Sequence, residues 1–87
     1  MTRAEILDKA KEIITVDRVN KYGEPENSFE SIAKLWSVYL GIELQAEDVA
    51  MLMTLLKIGR LAFDIQNEDS LLDAIGYLAC AGELLEG

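Results

Sequence analysis

The sequence predicts an all-α fold: a compact antiparallel four-helix unit assembled into a homo-oligomeric helical bundle. Three observations carry this expectation. Apolar residues recur at three- and four-residue spacing in four segments, and no strand-like alternation interrupts them. The connections between segments are short, which favours antiparallel neighbours. The stretch from Glu47 to Tyr77 holds two apolar helical segments joined by a short polar turn, the helices interrupted by Lys57, Arg60 and Asp73, and the first of them has no charge from Val49 to Leu56. A helix of that kind belongs at the centre of a core or of an oligomer. The 87 residues (1–87) suit a single domain. Such a chain buries only about 60–65% of its unfolded surface. Yet 51% of its residues are hydrophobic, more than a small globule hides, so apolar contacts between copies are expected.

Each helix has its own signals. The first is expected over residues 2–20, because Thr2-x-x-Glu5 is a capping-box pattern and Ile6, Ala10 and Ile13 form an apolar row. That row runs into Asp17 and Arg18, placing charges where the core-facing stripe should continue. Gly23 can supply the positive φ that stops the helix. The second is expected over 27–40, with Asn27 as cap and Glu30 three residues on. Phe29, Ile32, Ala33, Trp36, Tyr39 and Leu40 follow helical spacing, with Phe29, Trp36 and Tyr39 expected in the core, and Gly41 ends the helix. The third is expected over 46–63, with Asp48 in the first turn and Arg60 and Asp64 spaced for an ion pair. The fourth is expected over 69–85, where Ser70-x-x-Asp73 resembles a capping box. Small residues dominate its middle, and Gly76 and Cys80 mark a tight helix contact, within the chain or between chains.

Composition narrows the function. A net charge of −8 and a pI near 4.3 repel polyanions, so nucleic acid is not an expected partner. A small phosphorylated ligand needs only two or three cations in one pocket. The absence of histidine removes zinc chemistry and Ser-His or Cys-His catalysis. Cys80 stands alone and implies no intrachain disulfide. Met1 leads straight into charged residues, and the longest uncharged run, Val49 to Leu56, is far short of a membrane span. A soluble intracellular protein without a membrane partner is expected.

The basic candidates are Arg18, Lys21, Lys57 and Arg60, near apolar helix faces or a helix end. As a ligand site they grip phosphate, with Tyr22 stacking on a base or donating its hydroxyl. The plainer reading pairs Arg60 with Asp64 and Arg18 with a neighbouring acid, while Lys57 snorkels to water. The acidic candidates are Asp48, Asp69 and Asp73. Magnesium ion takes oxygen ligands and keeps several waters, so acids one turn apart on facing helices suit it. Asp69 and Asp73 have that spacing, but helix three offers Glu47 and Asp48 side by side and no second acid one turn on. The plainer reading assigns the three acids to helix dipoles and caps.

Asp17-Arg18, Lys21-Tyr22-Gly23-Glu24-Pro25-Glu26, Phe29 and Leu35-Trp36 together resemble the start of a small phage and prophage family known as a domain of unknown function. The resemblance continues through Asp48-Val49-Ala50, Leu56-Lys57-Ile58, Arg60-Leu61 and Asp73-Ala74-Ile75-Gly76-Tyr77. More distantly, the layout is similar to the MazG-like all-α nucleotide pyrophosphohydrolases. That likeness implies an oligomeric helical fold, a nucleotide ligand and magnesium held by paired acids, with Asp48 standing for one acid of the first pair and Asp69 and Asp73 in the region of the second. The phage likeness implies the cytoplasm of a host bacterium.

The leading expectation is a homo-oligomer that binds a phosphorylated nucleotide without turning it over, sequestering a nucleotide signal of host defence. No catalytic residue is assigned. The alternatives are a magnesium-dependent nucleoside triphosphate pyrophosphohydrolase and a protein-binding adaptor with no small ligand.

Overall fold

Thr2 opens the first helix by reciprocal capping. Its hydroxyl accepts the Glu5 N–H at 3.2 Å, and the Glu5 carboxylate accepts the Thr2 N–H at 3.0 Å, satisfying two donors that a helix start leaves orphaned. The hydrogen bonds hold the Glu5 carboxyl below its ordinary range. The computed structural model describes residues 1–86. In it α1 (Arg3–Glu12) runs on through a π-helical turn (Ile13–Asp17) into α2 (Arg18–Tyr22), which ends at Gly23 with φ 85°. Then come α3 (Pro25–Leu40), α4 (Ala46–Phe63) and α5 (Glu68–Glu86), and no strand occurs among the described residues.

Two starts differ from the sequence expectation. The cap of α3 is Glu24 rather than Asn27, and Pro25 occupies the first turn. Proline loses nothing there, because that N–H has no intrahelical acceptor. At α5 the capping side chain is Asn67, whose Oδ1 accepts the Ser70 N–H at 3.1 Å; Ser70 itself is buried. Asp73 is thereby left for other work. Gln45 and Asp48 form the reciprocal cap of α4, with the Gln45 N–H on Asp48 Oδ2 at 2.8 Å. Ser37 ties the α3–α4 connector down by accepting the Leu44 N–H at 2.8 Å.

Helix α5 packs on α4, on α1 and on the π turn, and α3 packs on α4. The centre is built from small side chains: Ala50, Cys80 and Ala81, with Ile14, Phe29 and Leu84 against them. Burial pushes the Cys80 thiol up to about 11. Gly76 is the close approach within the chain. A Cβ there would stand 3.2 Å from Ile14 Cβ, so any larger residue would make the π turn give by a few tenths of an ångström. Leu72 and Val49 are the largest fully buried residues. Tyr39, expected in the core, is 89% exposed. At about 100° per residue it lies some 120° round α3 from Ala33, the buried position of that helix. No helix among the described residues is long and apolar enough to cross a membrane.

Candidate functional site

The π turn aims the site. An α-helical period carried on from Ile13 and Ile14 would turn Asp17 toward the core. Instead the Arg18 N–H reaches back five residues to the Ile13 carbonyl, and the wider turn absorbs one extra residue. Thr15 Oγ1 competes for the backbone by donating to the Lys11 carbonyl at 2.6 Å. The outcome is that Asp17 is exposed, while Arg18 and Val19 are half-buried.

Arg18 lies between two aromatic rings. Its guanidinium carbon is 4.8 Å from the Tyr77 ring centre and 5.5 Å from that of Tyr22, distances at which a cation is held by a ring face. Tyr77 also meets Phe29, with ring centres 6.1 Å apart. The buried position raises the Tyr77 phenol above its ordinary range, against the opposing charge of Arg18.

Behind Arg18 stands Asp73 of α5. Its Oδ2 takes the Lys57 ammonium at 2.9 Å and the Arg18 guanidinium at 3.6 Å. Lys57 and Asp73 are mostly covered, with side chains 11% and 16% exposed, whereas Arg18 keeps 30%. Two cations therefore share one carboxylate. The cluster carries a net positive charge in a chain whose net charge is −8, and the part still open to solvent belongs to Arg18.

That opening is a cavity of about 430 Å³, within the size range of small-molecule sites. Ile14, Val19, Phe29, Ile32 and Met53 give it apolar walls, and Arg18, Tyr22, Tyr77 and Ser28 give it polar atoms. Lys21 does not line the cavity; its ammonium lies 5.4 Å from the ring centre of Tyr22, which does. The chemistry available is an apolar slot for a planar ring beside a cation for an anionic group.

The sequence candidates are thus divided. Arg18 and Tyr22 line the cavity, and Lys21 adjoins Tyr22. Lys57 supports Arg18 from behind through their common carboxylate instead of facing the opening. Arg60 stands apart, in a shallow depression with Leu56, Phe63 and Asp64. The expected Arg60–Asp64 pair is replaced: Asp64 Oδ1 accepts the Gln66 N–H at 3.0 Å. Among the acids, Asp48 is engaged in the α4 cap, Asp69 is exposed in the first turn of α5 and Asp73 is engaged by Lys57 and Arg18. No three of the described acids and cysteine come together as metal ligands would, so Asp48, Asp69 and Asp73 do not form the expected constellation within one chain. Sequence reasoning missed Tyr77 and Phe29 as cavity walls. The available signal was Tyr77 one helical turn after Asp73.

Comparison with known proteins places the chain in a family. The chain is 42% identical to the Gene 55 protein of Mycobacterium phage L5 over 73 residues, which cover 83% of this chain and 47% of that protein. It is 40% identical to the Gene 55 protein of Mycobacterium phage D29 over 81 residues, covering 93% of this chain and 54% of that protein. The chain thus spans about half the length of the curated relatives it matches. No solved structure matches it. The family model described as "Domain of unknown function (DUF6378)" matches residues 5–85, and the chain belongs to that family.

Proposed function

We propose that the chain is a homo-oligomeric, antiparallel helical protein that binds a phosphorylated nucleotide in the Arg18 cavity without turning it over. The single observation that carries this reading is the pairing of an apolar, aromatic-walled cavity with a guanidinium whose charge its carboxylate only half cancels. A nucleobase suits the slot beside Tyr22 and Tyr77, and Arg18 with Lys21 suits the phosphate. Lys57 is a positioning residue: it occupies Asp73, so Asp73 does not draw Arg18 fully out of the cavity. The engagement of Asp48 in a helix cap and of Asp73 by two cations supports binding without turnover. The phage relatives support a phage setting only; sequestration of a nucleotide signal of host defence is our reading of that setting, by association alone.

Calorimetry against mono-, di- and cyclic nucleotides tests the proposal. At least one class binds, and Arg18→Met weakens it about ten- to hundredfold, the value of one charge-assisted contact. Tyr22→Ala also weakens it. Heats no greater than buffer dilution across the panel would reject the nucleotide ligand. Pyrophosphate released with magnesium present would reject binding without turnover.

A further inference from the structure

The chain exposes more surface than its mass accounts for. Its accessible area is 6139 Å². A folded monomer of 9.7 kDa has about 5,100 Å² by the usual scaling. The excess of about 1,000 Å² matches what one partner gives up in a stable interface, about 800 Å². Much of what is exposed is large and apolar, and α4 presents it in a continuous order.

Ala50, Thr54 and Lys57 mark the buried side of α4. Turned away from them are Leu52, Leu55, Leu56 and Phe63, exposed by 40%, 54%, 45% and 96%. With Gly59 they follow the three- and four-residue spacing of a helix-packing ridge. Nothing in this chain lies within 4 Å of where a Gly59 Cβ would be. A mid-helix glycine is less favourable than alanine, and no neighbour within the chain requires one at this position. Close approach of a second helix along the apolar stripe would account for one.

We infer that a second copy of the chain packs α4 against α4, crossing at Gly59 about a two-fold axis. A two-fold contact needs a self-complementary patch, and a stripe with Leu55 and Leu56 one turn before Gly59 and Phe63 one turn after it can be one. Charge favours the same occupant. Two chains of net charge −8 approach with least repulsion where neither presents an acid, and between Asp48 and Arg60 the one charged residue of α4, Lys57, faces inward. The inference deepens the self-association in the proposed function and is independent of its ligand. A monomer that binds nucleotide would sink it alone, and a dimer that binds none would sink the ligand alone.

Sedimentation equilibrium of the 87-residue chain at micromolar concentration is expected to show at least twice the monomer mass. Leu55→Glu, at an exposed position, should yield monomer. Gly59→Ala should raise the dissociation constant about tenfold or more, the cost of holding two backbones apart. A cross-link keeps the test decisive if Leu55→Glu fails to fold. Leu56→Cys chains, one turn from the crossing and leaving Gly59 in place, should be joined into covalent dimers by a short bis-maleimide, and Asp8→Cys chains should not, Cys80 being buried. A monomeric wild type, assembly unaffected by Leu55→Glu, or no cross-link at position 56 would each overturn the inference.

Discussion

Asp73 holds two cations on one carboxylate oxygen, so its three members are not equivalent. Removing the carboxylate leaves Lys57 and Arg18 facing each other in a half-covered site with no counter-charge. Removing the lysine leaves Asp73 with Arg18 at 3.6 Å and relieves the desolvation of a buried ammonium. We therefore expect Asp73→Asn to destabilise the fold by about 3 kcal/mol, as one-sided breakage of covered ion pairs does. Lys57→Met, which keeps the apolar stem, should cost about 1 kcal/mol or less. Urea unfolding of both variants measures the difference. Equal losses would mean that the cluster acts as separate contacts and that Asp73 is not its centre. None of this pairing was legible beforehand, because Arg18, Lys57 and Asp73 are brought together from separate helices and no local spacing reports it.

At the scale of the helices, more could be read. The Thr2 cap, the stop at Gly23 and the small-residue middle of α5 follow from local rules: a hydroxyl for an orphan N–H, a positive φ, a close approach. What failed were positions where two local signals compete. Asn27 looks like a cap, but Pro25 already fits the first helical turn, and the earlier start wins. The charges at Asp17 and Arg18 looked like a stripe running wrongly into the core. The π turn resolves the conflict by one extra residue, which apolar spacing cannot signal because Ile13 and Ile14 fit either register. That turn rests against Gly76, where an added Cβ would meet Ile14 Cβ at 3.2 Å. Ile14 is β-branched and cannot swing aside cheaply. Gly76→Val is accordingly expected to destabilise by about 1–3 kcal/mol through overpacking. Gly82→Ala, on the same helix with nothing within 4 Å, should stabilise by up to about 1 kcal/mol. Thermal unfolding of the two variants separates contact from propensity. Shifts in the same direction would show that the π turn does not depend on Gly76.

For the molecule as a whole, the sequence signal of too many apolar residues persists as exposed surface. The buried set is mostly alanine and glycine-sized, with Leu72 and Val49 as its largest fully covered members. Large residues such as Leu35, Val38, Tyr39 and Phe63 remain open at 70% or more. A core of small side chains removes little apolar area from water, so the isolated chain has a narrow stability margin. If copies cover the remainder, folding and association become one equilibrium, and the melting temperature depends on concentration. For a two-state dimer of this length the expected rise is about 4 °C per tenfold increase in protein. Salt should act in the same direction. Two chains of net charge −8 repel over a screening length of about 10 Å at 0.1 M salt and about 3 Å at 1 M. The proposed contact itself is apolar and loses nothing to screening. Raising sodium chloride from 0.05 to 0.5 M, both chosen to bracket about 0.1 M, should therefore increase the melting temperature and tighten association. Calorimetric scans over a concentration and salt series read both slopes. A melting temperature constant with concentration would uncouple assembly from folding. One that falls with salt would mean that ion pairs, not the leucine face of α4, hold the copies together.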